Sequence, residues 1–241
     1  MQYEMNNLFT KILDETKVSK ADFHTTQDIP LSLLQNPYTM LDLPISLPDP
    51  KISKMSLEEA LDLREAIKEW EDEFVKLADL STILKLIFDS DTKDWENDFL
   101  NDLELGVVVY AQKVDGLNPA IYHYSSKEHE LVPIGNLESL NMNEIVLQSE
   151  FGNAPVILIF TGKLGATIHH YGSSGLRRLL IRGGMAADRA WLASISLGYV
   201  GSLFAGILPK SLYTTVKIDG YQLTSLFAYS FGVPLSELSI K

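Results

Sequence analysis

Residues 154–161 read Ala-Pro-Val-Ile-Leu-Ile-Phe-Thr, an apolar run with no alternation. A run this short, rich in Val and Ile, predicts a strand buried on both faces. A chain with such a strand must cover a sheet from two sides. Residues 106–112 (GVVVYAQ) predict a second strand, and residues 120–124 (AIYHY) a third. Turns at 114–116 and 125–127, with Leu131 and Val132 following, make these a meander. Residues 211–221 and 223–231 are expected to supply at least one more strand. Helical patterns interrupt the strands irregularly, which indicates an α+β fold.

The helix candidates are uneven in strength. Ser56 followed by Glu59 forms a capping box, predicting a helix from Ser56 to about Ala66. Leu80, Ile83, Leu84 and Ile87 are spaced as the apolar face of another. Residues 137–150 read as an amphipathic helix, and a short one is expected over 7–18. The first 50 residues carry Pro30, Pro37, Pro44, Pro48 and Pro50. Each proline disfavours helix at the residue before it. The division expected is an extended arm over 1–50 and a single domain over 51–241.

The span 169–206 holds the one adjacent histidine pair, several arginines and the longest helix candidate. Residues 190–209 contain no charge and equal a membrane span in length. Gly198, Gly201 and Gly206 with three serines break that span, so a buried helix stopping near Gly198 is expected. Arg178, Arg182 and Arg189 fall within about 40° on a helical wheel. As one stripe they could grip an anion or pair with the protein's own acids; Gly183 and Gly184 could instead mark a helix start and break the stripe. His170 and Tyr171 side by side could act as general acid and base, or simply pack at a strand end.

Composition excludes several classes. The 241 residues are 46% hydrophobic, enough for a substantial core, and contain no cysteine, which removes disulfides and thiolate chemistry. The net charge of −12 argues against nucleic acid and anionic lipid as partners. The amino-terminal residues lack a basic and then apolar leader pattern, so a cytoplasmic protein is expected. Residues 89–106 are the most acidic segment, but lack calcium-loop spacing and read as a solvated loop or helix. The five histidines show no zinc spacing, and no metal is expected. No nucleophile elbow, Walker loop or dinucleotide fingerprint occurs.

One resemblance goes further. The span VVVYAQKVDGLNPAIYHYSSKEHELVPIG resembles the SagB-type, nitroreductase-fold azoline dehydrogenases of thiazole- and oxazole-modified peptide pathways. The matching residues are Val114, Gly116, Leu117, Pro119, Tyr122, Tyr124, His129 and Leu131. Segment order is similar over most of the chain: ADFHTTQDIP to the family's arm, SLEEALDLREAIKEW to its first helix, and GGMAADRAWLASISLGYVGSLFAG to its central helix. The resemblance implies a mainly antiparallel sheet wrapped by helices, a dimer, and FMN at a site built from both subunits. It implies oxidation of peptide thiazolines and oxazolines to azoles, in a bacteriocin-like pathway.

By that resemblance, the family's catalytic Lys-Tyr pair falls at His170 and Tyr171, with Gly172, Gly175 and Arg177 in the surrounding pattern. Arg64 and Lys68 fall at flavin-binding cations, with Ala66 where a hydroxyl is usual, and Gly184 lies at the cofactor wall. The family's flavin loop is replaced by the acidic segment 89–106. Arg182, Asp188 and Arg189 stand where the central helix carries an acid and a Gln-Asn pair. Two functions stay open. The chain is an FMN-dependent azoline dehydrogenase subunit, or a flavin-free partner that scaffolds an active subunit or binds the precursor peptide.

Overall fold

The structure is a computed structural model describing residues 2–15, 17, 28–138 and 140–236. A seven-stranded sheet forms the centre, ordered β1-β6-β5-β3-β7-β9-β8, and every neighbouring pair is antiparallel. The strands are β1 (Ile45–Ser46), β3 (Gly106–Ala111), β5 (Ala120–Ser125), β6 (Glu130–Asn136), β7 (Val156–Gly162), β8 (Val200–Phe204) and β9 (Thr224–Gly232). Two short strands, β2 (Val75–Lys76) and β4 (Val114–Asp115), pair in parallel beside it. The helices are α1 (Gln2–Glu15), α2 (Leu31–Leu34), α3 (Leu57–Asp62), α4 (Leu77–Asp94), α5 (Glu96–Leu100), α6 (Ser149–Gly152), α7 (Leu164–Tyr171), α8 (Gly175–Ser196) and α9 (Pro209–Val216).

All seven residues of β7 are buried, as the unbroken apolar run demands. Val156, Leu158 and Phe160 face one core with Val107, Val109, Tyr229, Leu80, Leu84, Ala186 and Ala190. Ile157 and Ile159 face the other with Val108, Tyr110, Phe151, Phe204, Leu212 and Val216. Each such side chain contributes about 1.5–3 kcal/mol by leaving water. The buried stripes of α4 and α8 pack together on the first face.

The arm is stitched to this body. Its strand β1 closes the sheet edge against β6. Ser81 Oγ on α4 donates to the Pro48 carbonyl at 2.5 Å and lies 2.9 Å from His129 Nε2. His129 Nδ1 lies 2.8 Å from the Tyr124 hydroxyl. Thus His129 and Tyr124, both in the resembling span, serve to anchor the arm.

Several expectations need correction. The capping box at Ser56 forms, but α3 ends at Asp62, and Arg64 and Lys68 lie beyond it. There, Ala66 bridges to Gly201 in parallel and the Ile67 amide donates to the Gly201 carbonyl. Residues 137–150 form only a 3-10 turn at Met142–Glu144 and the start of α6. Asn136 and Asn141 accept hydrogen bonds from the Glu138 and Asn143 amides, a local geometry that competes with helix. Residues 209–216 are α9, started by Pro209 in its first turn and ended by Lys217 in the left-handed region. The further strand expected from the last stretch is β9. The first helix spans Gln2–Glu15; Val18 lies outside the described residues, as do residues 21–27 of the arm motif. The uncharged run 190–209 holds the end of α8 and all of β8. Among the described residues, no helix is long and apolar enough to cross a membrane.

Candidate functional site

α7 and α8 meet at a sharp corner. Gly172 takes φ 64°, a conformation open to glycine, and ends α7 after Tyr171. A Cβ on Gly175 would stand 2.7 Å from the Thr167 carbonyl, so this glycine permits the two helices to touch. The pair His170–Tyr171 therefore sits on the last turn of α7, not at a strand end. Gly183 and Gly184 lie inside α8, which runs unbroken over 22 residues. The arginine stripe is continuous.

That stripe meets the acidic segment. Arg182 is fully buried. Its Nε and Nη2 donate to Asp91 at 2.8 and 2.5 Å, and its Nη1 donates to Asp98 Oδ2 at 3.1 Å and to the Leu103 carbonyl at 2.8 Å. Arg178 donates to both oxygens of Asp98 at 2.8–3.2 Å. Its guanidinium lies 4.5 Å from the Trp95 ring centre and 4.3 Å from that of Tyr171. Arg189 pairs with Asp94 nearer the surface. The segment is thus not merely solvated: α4 and α5 bury Asp91 and Asp98 against α8. Two arginines face two aspartates, so the buried charges balance, as burial requires.

Tyr171 belongs to this network. Its hydroxyl donates to Asp98 Oδ1 at 2.5 Å. Burial, then the hydrogen bond to Asp98 and its charge, push the phenol up to about 12, against the pull of Arg178 and Arg182. Tyr171 is held as a donor and its proton is committed. Its ring meets His170 edge-on at 4.5 Å. Both side chains line a cleft of about 610 Å³ with Asp28, Ile29, Leu34, Asn97, Asn101 and Asp102. This cleft carries two carboxylates.

The expected cofactor-binding residues do not converge within one chain. Arg64 is exposed and stacks 4.7 Å over Trp191, towards the far end of α8. Trp191 lies 13 residues along the helix from Arg178, a rise of about 20 Å. Lys68 is exposed, 4.0 Å from Glu150 and 5.3 Å from the Phe151 ring centre. Arg177 is exposed and donates to the Leu13 carbonyl of α1 at 3.3 Å. A Cβ on Gly184 would touch only Phe227, at 4.0 Å, so no close approach requires glycine there. An FMN phosphate needs several donors aimed at one point. The candidates supplied by this chain do not provide that arrangement.

No protein-family profile matches the chain. A protein of Methanocaldococcus jannaschii designated a nitroreductase is 27% identical over 187 residues, which cover 74% of this chain and 92% of that protein. A structure from Anabaena variabilis, also designated a nitroreductase, superposes over 80% of the chain with a TM-score of 0.69 and 20% identity. The chain spans 42% of that larger molecule. A second such structure, from Ralstonia eutropha, matches over 83% of this chain and 99% of its own, with a TM-score of 0.62 and 19% identity. The fold is nitroreductase-like. A chain of the E. coli microcin synthetase McbBCD complex, solved with truncated pro-MccB17 bound, also shares this fold, with a TM-score of 0.56, 13% identity and 94% of this chain covered.

Among the described residues, no group of three or more His, Cys, Asp or Glu side chains is placed to hold a metal. The stripe pairs with the protein's own acids, one of the two alternatives the sequence offered, but sequence reasoning did not single out Asp91 and Asp98 as the partners. The available signal was the coincidence of an isolated arginine stripe with an isolated acidic segment.

Proposed function

We propose that this chain is a flavin-free, nitroreductase-fold subunit of a peptide-modifying oxidoreductase, binding a precursor peptide beside an active partner subunit. The observation that carries this reading is the closed network Tyr171–Asp98–Arg178–Arg182–Asp91. It commits the tyrosine expected to assist proton removal and occupies the arginines of the helix expected to face a flavin. The acidic cleft beside His170 and Tyr171 supports the same reading. Its carboxylates repel a phosphate and favour the N–H groups or cationic side chains of an extended peptide. The nitroreductase-like neighbour in a complex solved with a peptide bound makes this arrangement plausible by analogy of fold alone.

A second reading is kept by one observation. Arg64 and Lys68 both lie beyond the end of α3 and are exposed, open to a further subunit. A second copy of this chain closing over them would complete an FMN-dependent azoline dehydrogenase. The deciding experiment is FMN retention by the isolated, FMN-saturated protein after gel filtration. No retained flavin absorbance is the expected result. Stoichiometric flavin in the isolated protein overturns the first reading and supports the second. In that case Tyr171→Phe should cut turnover of a peptide azoline at least about tenfold.

A further inference from the structure

A small polar cavity lies where the ends of β3, β5 and β7 meet the arm. It encloses about 90 Å³ and is lined by Tyr38 of the arm, Glu104, Gly106, His123, Thr161 and Lys163, with the 125–127 turn outside. Four polar atoms of the lining residues are buried without a well-formed hydrogen bond: Tyr38 Oη, Glu104 Oε2, His123 Nδ1 and Thr161 Oγ1, the Tyr38 and Thr161 hydroxyls interacting with each other. Buried polar atoms are rarely left so, and a cluster of four around one space indicates that the space is filled by a polar group. Gly106 keeps the floor open, since a Cβ there would stand 2.6 Å from Thr161 Oγ1.

The walls present both donors and acceptors. Lys163 is buried, and its Nζ donates once, to the Asp102 carbonyl at 2.8 Å, leaving two N–H groups. The Tyr38 and Thr161 hydroxyls are further donors. Burial, with the Lys163 charge adding to it, pushes His123 down to about 4, so its ring is neutral. A neutral imidazole keeps one N–H and one lone-pair nitrogen, and Nδ1 is the buried nitrogen without a well-formed hydrogen bond. Glu104, a lining residue, has Oε1 3.7 Å from Lys127 Nζ and Oε2 buried without a hydrogen-bond partner. The Tyr38 ring lies 4.9 Å from the His123 ring and forms the arm's wall of the space.

We propose that this cavity binds a small zwitterion of the α-amino-acid class. Its carboxylate would meet Lys163, Tyr38 and Thr161, and its ammonium would meet Glu104 and His123. The volume equals about three waters, which suits the smallest members. A peptide end offers only one of the two charges, so a free amino acid satisfies the walls where a peptide terminus leaves one side unpaired.

Calorimetric titration of the whole protein with glycine, acetate and methylamine tests this. Saturable glycine binding, at least about tenfold tighter than either half-ligand, is expected. Lys163→Met should weaken glycine at least about tenfold, and Tyr38→Phe, which keeps the ring on His123, by about three- to tenfold. No saturable glycine binding, or equal binding by Tyr38→Phe and the native protein, overturns the proposal. So does a crystal grown with glycine in which only ordered waters fill the space. Neither readout involves flavin, so the outcome is independent of the proposed function.

Discussion

Two buried polar clusters share one short connection and resolve their charges in opposite ways. Between α5 and β3, the Leu103 carbonyl accepts from Arg182 on one side, and the Asp102 carbonyl accepts from Lys163 on the other. The arginine cluster is closed: each buried carboxylate has a guanidinium and each guanidinium its carboxylates. The lysine cavity is open, with four buried polar atoms lacking a well-formed hydrogen bond. A closed cluster specifies how helices pack; an open one leaves room for something to bind. Tyr171, expected in a catalytic pair, is tied into the closed network, and the cavity beside β3, β5 and β7 has the features of a binding site.

The largest effect that sharpens this contrast is Arg182→Met. It leaves Asp91 without its partner in a buried setting, and a loss of about 3–5 kcal/mol is expected in urea unfolding. Adding Asp91→Leu should restore much of that loss, because a volume-matched apolar pair replaces a balanced ion pair. If Arg182→Met costs less than about 1 kcal/mol, the cluster is not the structural keystone described and the contrast fails.

The open cluster should show itself in acid. His123 has a folded pKa of about 4, below the ordinary histidine value near 6.5. Its contribution is present in full above about pH 6.5 and is lost as pH falls towards 4, because the unfolded chain then binds the proton more readily. The difference amounts to at most about 3.5 kcal/mol. Urea midpoints measured across that window should fall less steeply in His123→Asn than in the native protein. An unchanged slope would show that His123 charges freely in the folded state and that the cavity is wet and open.

Tyr171→Phe separates packing from chemistry. It removes one donor from Asp98, whose two arginine partners remain. A cost of about 1.5 kcal/mol is expected. A stability loss with unchanged peptide binding places Tyr171 in the scaffold; lost binding at unchanged stability would return it to the functional cleft.

How much was legible follows from range. β7, β9 and the second half of α8 were written in local patterns: an apolar run, a second one, and an apolar helical stretch; Gly183 and Gly184 left the first half of α8 open, and the structure runs the helix through them. The capping box at Ser56 was equally local. The stop near Gly198 was legible and α8 ends at Ser196, with Gly198 at φ 89°, but β8 was hidden because Gly201 and Gly206 read only as breakers, not as part of a strand segment. The partners of Arg182 lie 84 and 91 residues away, and no spacing rule reaches that far. The cavity draws on five separated segments. Its one sequence trace was His123 between Tyr122 and Tyr124, since strand alternation sends it to the opposite face from the two tyrosines. Arg64, Lys68 and Arg177 could be named from the resemblance, but their dispersal over the surface could not be foreseen from it.

The smallest effect tests where the closed cluster ends. Arg189 continues the stripe and pairs with Asp94, but their side chains are 24% and 40% exposed, against 0% and 2% for Arg182 and Asp91. Exposed pairs lose most of their Coulomb gain to water and to the ordering of two side chains. Arg189→Ala should therefore cost no more than about 1 kcal/mol, less in high salt. Yet Arg189 Nη1 is buried without a partner. If the measured cost instead approaches that of Arg182→Met and ignores salt, the stripe acts as one unit. The boundary between a buried network and its solvent rim would then have to be moved outward along α8.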